Sequence, residues 1–152
     1  QVRILPEQAH SILTHVLPAP PSIVWEWLND VPRRRQWGGL DDVLPVLRPG
    51  GRTTGGARNH CMHGKNVIQE DILDWRPFEY YTTGYSQFIQ TTVLEPVEEG
   101  TRLRIYSRLN SPLPGWLARL VARWMERQFK LDEGLDRLES LISAEYVQSK
   151  NP

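Results

Sequence analysis

The 152-residue chain has one cysteine, two methionines and no excess charge of either sign. The single Cys61 excludes an internal disulfide framework and most cysteine-based zinc sites. Eighteen basic residues balance eighteen acidic ones, so no overall electric field attracts nucleic acid or an anionic membrane. No apolar run approaches the roughly 20 residues that a membrane-spanning helix needs. We therefore expect a cytoplasmic protein that binds no nucleic acid and makes no integral membrane contact.

The composition is otherwise that of a globular protein. Hydrophobic residues make up 39% of the chain and charged residues 24%, which excludes a disordered or fibrous protein. The length favours a single domain over residues 1–152, with a core from about residue 10 to about residue 142. Six tryptophans, twelve prolines and eleven glycines indicate short strands around an aromatic interior.

The first third of the chain predicts one strand and two short helices. The β-branched and apolar residues from His10 to Leu17 favour a strand. A helix is predicted over Ser22 to Asn29, because the prolines before it suit a helix start. A second helix follows over Val31 to Trp37, and two glycines end it.

The middle of the chain shows the period of two that is typical of strands. In the last of these segments Leu103, Ile105 and Leu109 alternate with Arg102, Arg104 and Arg108, which predicts a sheet with one solvated face. The six predicted strands are Val43–Leu47, Ala57–His63, Asn66–Trp75, Glu79–Phe88, Gln90–Glu95 and Thr101–Leu109.

The last third predicts one long helix from Trp116 to about Tyr146, with a bend at Gly134. Its apolar stripe and the apolar face of the sheet must cover each other. The predicted fold is α+β, with a curved antiparallel sheet of about seven strands wrapped around the long C-terminal helix. Two short helices lie between the first and second strands. The residues of the helical stripe are Leu117, Val121, Trp124, Leu131, Leu135, Leu138 and Ile142.

Several segments, in this order and spacing, resemble the START-like or SRPBCC superfamily, whose fold is the helix-grip fold. They are Ala19–Leu28, Trp37, Gly56, Cys61–Gly64, Glu70–Phe78 and Gly100–Leu103. The resemblance covers roughly His10 to Ile142. It implies an internal hydrophobic cavity between the sheet and the C-terminal helix, which binds a hydrophobic or amphipathic small molecule or a lipid without a cofactor.

Because a fold does not settle function, two other classes of function stay open. One is an enzyme of the polyketide cyclase or dehydratase type, with Glu70 and either Tyr85 or His63 as the acid–base pair. The other is an interaction module that regulates an attached domain. A non-catalytic ligand-binding domain is the leading hypothesis, and neither the oligomeric state nor the ligand follows from the sequence.

A predicted hairpin turn at Gly64-Lys65 sets the register of two strands and places Glu70. In this register His63 lies opposite Asn66, Cys61 opposite Ile68, and Asn59 opposite Glu70. Glu70 then points inward. A buried carboxylate needs either a partner or a raised pKa, so Glu70 is either an acid–base group or the partner of an arginine near the cavity mouth.

The stretch with His60, Cys61 and His63 does not predict a metal site. Successive strand residues alternate between faces, so His60 and His63 point to opposite sides. Cys61 can share a face only with His63, and two ligands do not make a zinc site. Cys61 is better interpreted as a small buried apolar residue.

The ligand-binding residues are predicted to come from the sheet face and from the helix stripe. Gln128 either binds a ligand or satisfies a buried polar group, and Trp124 is core or a ligand platform. Tyr81 and Tyr85 share one strand face and Tyr80 takes the other, but the pattern does not show which face is inward. The predicted set is Asn59, Cys61, Ile68, Glu70, Ile72, Tyr85, Ile105, Leu117, Val121, Trp124, Gln128 and Leu131.

Two small basic patches are interpreted as solvated surface. They are Arg33–Arg35 and the set Arg119, Arg123 and Arg127, which face away from the helix stripe. Transient docking to a membrane or to an acidic partner stays open for them.

Overall fold

A computed structural model describes residues 2–39, 42–46, 58–63 and 65–150. A short 3₁₀ turn at Pro6–Gln8 precedes the first strand, and a wide helical turn at Ser143–Val147 leads into the last helix. The strands are β1 (Ser11–Leu17), β2 (Asp42–Val46), β3 (Arg58–His63), β4 (Asn66–Arg76), β5 (Tyr80–Gly84), β6 (Phe88–Val97) and β7 (Gly100–Leu109). The helices are α1 (Pro21–Asn29), α2 (Val31–Trp37), α3 (Gly115–Gln128), α4 (Leu131–Ile142) and α5 (Gln148–Lys150).

All neighbouring strands of the sheet are antiparallel, in the order β1-β7-β6-β5-β4-β3-β2. Strands β2 to β7 form a meander, and β1 pairs with β7 at the far edge. Since β1 and β2 lie at opposite edges, α1 and α2 carry the chain from one edge to the other. The predicted α+β class, the antiparallel sheet and the two helices after the first strand are confirmed.

The predicted register of the β3–β4 hairpin is confirmed. His63 pairs with Asn66, Cys61 with Ile68, and Asn59 with Glu70. Because side chains alternate between faces, this register turns Cys61 and Glu70 toward the interior, where they are 3% and 2% exposed. A bulge between Ile72 and Asp74 then bends β4, which adds curvature to the sheet.

The turn between β5 and β6 lies earlier than predicted. The sequence placed one strand over Glu79–Phe88, but β5 ends at Gly84 and Phe88 already begins β6. The backbone N–H of Tyr85 donates to the carbonyl of Phe88 and closes the turn. The predicted strand was wrong here because residues 85–87 contain no glycine or proline to mark the reversal.

The outer face of the sheet is only partly solvated. Ile4, in the segment before β1, packs on Tyr80, Val93 and Tyr106 from three different strands. Its backbone N–H donates to the hydroxyl of Thr91 at 2.9 Å. Residue 106 therefore lies under the N-terminal segment, whereas Arg102 and Arg108 on the same face of β7 are partly or fully exposed.

The C-terminal helix is not continuous, so the predicted single helix was wrong. The chain leaves helical geometry at Phe129 and Lys130, and Lys130 has a left-handed φ of 51°. The bend predicted at Gly134 is also wrong: this residue is buried inside α4, where a β-carbon would lie 3.3 Å from the carbonyl oxygen of Trp37. Gly134 therefore permits close packing of α4 on α2 rather than a bend.

The main core lies between the sheet, α1 and α4. Val24 and Leu28, four residues apart on α1, are 0% and 3% exposed, as their spacing predicted. Trp25 packs edge-on against Trp75 at 4.7 Å between ring centroids. The other buried residues of this core are Leu17, Ala19, Trp27, Leu94, Leu103, Ile105, Leu135, Leu138 and Ile142.

Candidate functional site

A cavity of about 190 Å³ lies between the inner face of the sheet and helices α2, α3 and α4. Most of its wall is apolar or aromatic, and it is formed by Leu28, Trp37, Cys61, Ile68, Tyr81, Phe88, Ile105, Leu109, Ala122, Met125, Phe129, Leu131 and Leu135. The polar and charged wall residues are Arg34, Glu70, Thr83, Tyr85, Gln90, Thr92, Ser107 and Glu126.

Glu70 is the centre of a hydrogen-bonded cluster in the cavity wall. Arg34 donates from Nη1 to Oε1 at 2.9 Å and from Nη2 to Oε2 at 3.0 Å. Asn59 Nδ2 donates to Oε1 at 2.9 Å, and the hydroxyl of Tyr85 donates to Oε2 at 2.6 Å. A carboxylate offers about four acceptor positions, and this cluster fills four.

Four separate elements bring these side chains together. The β3–β4 register sets Asn59 directly opposite Glu70. Arg34 comes from α2, and Tyr85 lies in the turn after β5. The prediction that residues 33–35 form one solvated basic patch was therefore wrong for Arg34, whose side chain is 17% exposed. Arg33 points elsewhere, to Glu145 and over the ring of Trp27.

The charges of the cluster are fixed at neutral pH. Burial alone would raise the pKa of Glu70, but the charge of Arg34 and the hydrogen bonds from Arg34, Tyr85 and Asn59 lower it to about 2. Burial and the neighbouring carboxylate raise the pKa of Tyr85 well above its usual value. Glu70 is therefore ionised and Tyr85 is neutral over the whole physiological range.

The orientation of the three tyrosines, which the sequence left open, is decided by the fold. Tyr81 and Tyr85 face the cavity, whereas Tyr80 packs on the outer face of the sheet. The ring of Tyr85 also stacks on Phe88 at 4.4 Å between centroids. Phe88 in turn contacts Phe129, so one side of the cavity is an aromatic wall.

A second polar group in the wall was missed by the sequence reasoning. Glu126 of α3 accepts a hydrogen bond from the hydroxyl of Ser11 on β1. Nearby in the sheet, Gln90 Nε2 donates to the hydroxyl of Ser107 at 3.1 Å. Ser107 was the available signal, since it is the one polar residue between Leu103 and Leu109 on the inward face of β7.

Half of the predicted ligand-binding residues lie in the cavity wall and half do not. Cys61, Ile68, Glu70, Tyr85, Ile105 and Leu131 line it. Asn59 is buried behind Glu70, and Ile72 is buried outside the wall. The side chain of His63 lies outside the described residues.

The predicted inward face of α3 was wrong. Trp124 is 60% exposed and Gln128 is also exposed, so neither lines the cavity nor fills the core. Leu117 and Val121 are half-buried beside the wall, while Ala118 and Ala122 are the buried residues of α3. The prediction placed the residues of α3 and α4 on one stripe of a single helix, but the break at Lys130 changes the phase between the two helices.

Within the described part of the chain, the residues grouped closely enough to hold a metal ion are His15, Asp136 and Glu139, whose candidate atoms lie within 4.8 Å of one another. They do not line the cavity. His15 Nε2 already pairs with the carboxylate of Glu139 at 2.8 Å.

In the part of the chain that the structure describes, no helix is both long and apolar enough to cross a bilayer.

The thiol of Cys61 is predicted to react slowly. Burial, with a smaller effect from Glu70, raises its pKa to about 11, so about 0.1% is ionised at pH 8. We expect modification by 5,5′-dithiobis(2-nitrobenzoic acid) to be about 100-fold slower in the native protein than in 8 M urea. Equal rates in the two solutions would show that the thiol is accessible and the wall open.

Comparisons with known proteins agree with this architecture. The family described as polyketide cyclase / dehydrase and lipid transport matches residues 9–143. A solved structure from Mesorhizobium loti superposes with a TM-score of 0.70 at 15% identity, covering 89% of this chain and 97% of that one. One from Nitrosomonas europaea gives 0.69 at 17% identity, covering 90% and 96%.

A third solved structure, DynU16, comes from the dynemicin biosynthetic locus. It superposes with a TM-score of 0.62 at 20% identity, covering 87% of this chain and 46% of that one. At these identities the three structures show the shared fold alone. No curated protein sequence matches the chain significantly. The match over residues 9–143, on a fold with the helix-grip arrangement, means that the chain belongs to the polyketide cyclase / dehydrase and lipid transport family.

Proposed function

We propose that this protein binds a small amphipathic molecule of one or two rings in the cavity between the sheet and helices α2 to α4. The observation that carries the proposal is the cavity itself, with its largely apolar wall and its smaller set of polar residues, which includes the charged Arg34 and Glu126. Binding sites of this kind use apolar surface for affinity and a few polar groups for orientation.

The volume sets the size of the ligand. A cavity of roughly 150 Å³ holds one benzene ring. At about 190 Å³, the cavity here suits a substituted ring or a compact two-ring compound. A diacyl lipid is several times larger, so the volume favours a small molecule over a membrane lipid as cargo.

The polar groups set the chemistry of the ligand. Arg34 uses two of its five N–H groups on Glu70, and the residue also lines the cavity. It is suited to a carbonyl or hydroxyl oxygen of a ligand. Glu126 presents a carboxylate from α3 and is suited to a hydroxyl or amine donor. A ring with oxygen-bearing substituents satisfies both requirements.

The catalytic alternative is weakened by the state of Glu70. A general base must have a free lone pair and a pKa near the working pH. Glu70 has its acceptor positions filled by Arg34, Asn59 and Tyr85, and its pKa is about 2. The carboxylate therefore supports a structural and positioning role rather than proton transfer.

The proposal is tested with a variant that places a bulky side chain of α3 in the cavity. We expect 1-naphthol to bind the wild type and to slow the modification of Cys61, which lines the same cavity. Ala122 is 4% exposed and faces the cavity, so Ala122→Phe places a ring where the ligand sits. Binding of 1-naphthol, measured by calorimetry, is expected to weaken at least about tenfold.

The matched control is Ala144→Phe, the same change at an exposed residue outside the cavity. It should bind 1-naphthol as the wild type does. The proposal fails if Ala122→Phe, still folded by circular dichroism, binds 1-naphthol as tightly as the control. In a separate measurement, native mass spectrometry of gently purified protein would identify a natural ligand by its mass.

A further inference from the structure

The outer face of α3 carries a row of large apolar side chains in solvent. Trp116, Leu120 and Trp124 are 66%, 56% and 60% exposed. They are spaced four residues apart, so they form one continuous row along the helix. A contiguous row with two exposed tryptophans is unusual on a soluble protein and marks an interaction surface.

A second row of arginines runs beside the first. Arg119, Arg123 and Arg127 follow the same four-residue spacing and are all exposed. The acidic residue of this helix, Glu126, lines the cavity on the other side and bonds to Ser11. The outer face of α3 therefore has a formal charge of about +3, although the whole chain has none.

The opposite charge is concentrated on α4. Its four acidic residues, Asp132, Glu133, Asp136 and Glu139, are exposed and outnumber the single basic residue of that helix, Arg137. Exposed charges of opposite sign are thus separated between these two successive helices. An anionic surface would attract α3 and repel α4, which fixes how the molecule approaches it.

We propose that α3 docks on the surface of an anionic lipid bilayer, with its axis parallel to the membrane plane. The helix is 14 residues, or about 21 Å, long. Interfacial helices combine a basic face with tryptophan and leucine, because indole rings favour the headgroup region and arginines pair with lipid phosphates. A protein partner would need both a groove for the apolar row and acidic side chains opposite the arginines.

The cavity lies on the other side of the same helix. Ala122 and Met125 line the cavity, while Trp116, Leu120 and Trp124 face solvent. A docked α3 would therefore stand between the bilayer and the cavity. The docking proposal does not depend on what the cavity binds, and it is tested with vesicles alone.

The test is sedimentation with 100-nm vesicles of phosphatidylcholine containing 30% phosphatidylglycerol, in 50 mM salt. We expect binding to these vesicles, a blue shift of tryptophan emission, and loss of both on vesicles of phosphatidylcholine alone or in 500 mM salt. Each arginine near an anionic surface contributes about fivefold in affinity. R119Q/R123Q is therefore expected to weaken binding about 25-fold, and W116S/W124S to abolish the blue shift.

The matched control removes two arginines from another surface. Arg76 of β4 is exposed and Arg102 of β7 is partly exposed, each in a surface ion pair, and R76Q/R102Q has the same net charge as R119Q/R123Q. It should keep at least a third of the wild-type affinity. An equal loss in both double variants would overturn the proposal, since net charge alone would then explain binding. Absence of binding by the wild type to anionic vesicles, or binding with no change in tryptophan emission, would also overturn it.

Discussion

Replacing Arg34 by methionine is expected to lower the free energy of unfolding by about 3–5 kcal/mol. The change leaves the carboxylate of Glu70, which is 2% exposed, without its countercharge. Domains of this size are stable by about 5–15 kcal/mol, so this loss is a large fraction of the total stability. Urea denaturation at pH 7, followed by tryptophan fluorescence, measures the loss.

Two further variants identify the cause of this loss. Arg58→Met removes a second arginine–carboxylate pair, with Asp71, but both side chains are at least one-third exposed. Exposed pairs contribute about 0–1 kcal/mol, so this control should barely change the urea midpoint. R34M/E70Q removes both buried charges. The amide oxygen at position 70 can accept from Asn59 and the amide N–H can donate to the hydroxyl of Tyr85, so the double variant should recover at least half of the loss. A similar small effect for Arg34→Met and Arg58→Met would show that the cluster is hydrated.

Acid is expected to destabilise the protein in a defined window because of the same carboxylate. The pKa of Glu70 is lowered from its ordinary value of 4.5 to about 2 in the folded protein. The stabilisation is therefore complete above pH 4.5, and it is lost as the pH falls from 4.5 toward 2. The shift corresponds to about 3 kcal/mol. The unfolding free energy measured between pH 2 and pH 7 should fall steeply in that window.

The contribution of Glu70 is isolated by the double variant R34M/E70Q. It has no carboxylate at position 70, so below pH 4.5 its unfolding should take up about one proton fewer than that of the wild type. The unfolding free energy of the double variant should therefore depend less steeply on pH. Asp71 also has a lowered pKa, through its hydrogen bond from Arg58, and Asp71→Asn serves as the control for a partly exposed carboxylate. Identical pH profiles for the wild type and R34M/E70Q would contradict the assignment.

The cluster gives the cavity a rigid polar corner. Tyr85 is held by Glu70 and by stacking on Phe88, and Glu70 is held from α2, β3 and the β5–β6 turn. A buried, fully hydrogen-bonded network specifies one arrangement of its members. The polar corner of the cavity is therefore held in one arrangement, which would lower the entropic cost of the binding proposed above.

Local sequence patterns predicted the elements that depend on local rules. The alternation on β7 and the turn at residues 64–65 gave the correct face of Leu103 and the correct pairing of Asn59 with Glu70. The period of two leaves little freedom once a tight turn sets the register. The spacing of Val24 and Leu28 likewise identified the buried face of α1.

The sequence by itself determined the order of the elements, the inward direction of Glu70 and the need for that carboxylate to find a partner. Only the tertiary structure decided that the partner is Arg34, because its neighbours Arg33 and Arg35 carry the same charge and the packing of α2 selects the one that reaches Glu70. It also decided that Trp124 faces solvent, since the left-handed residue Lys130 breaks the helix and separates the phase of α3 from that of α4. Periodicity fixes faces within one unbroken element, whereas contacts between elements depend on how the chain packs.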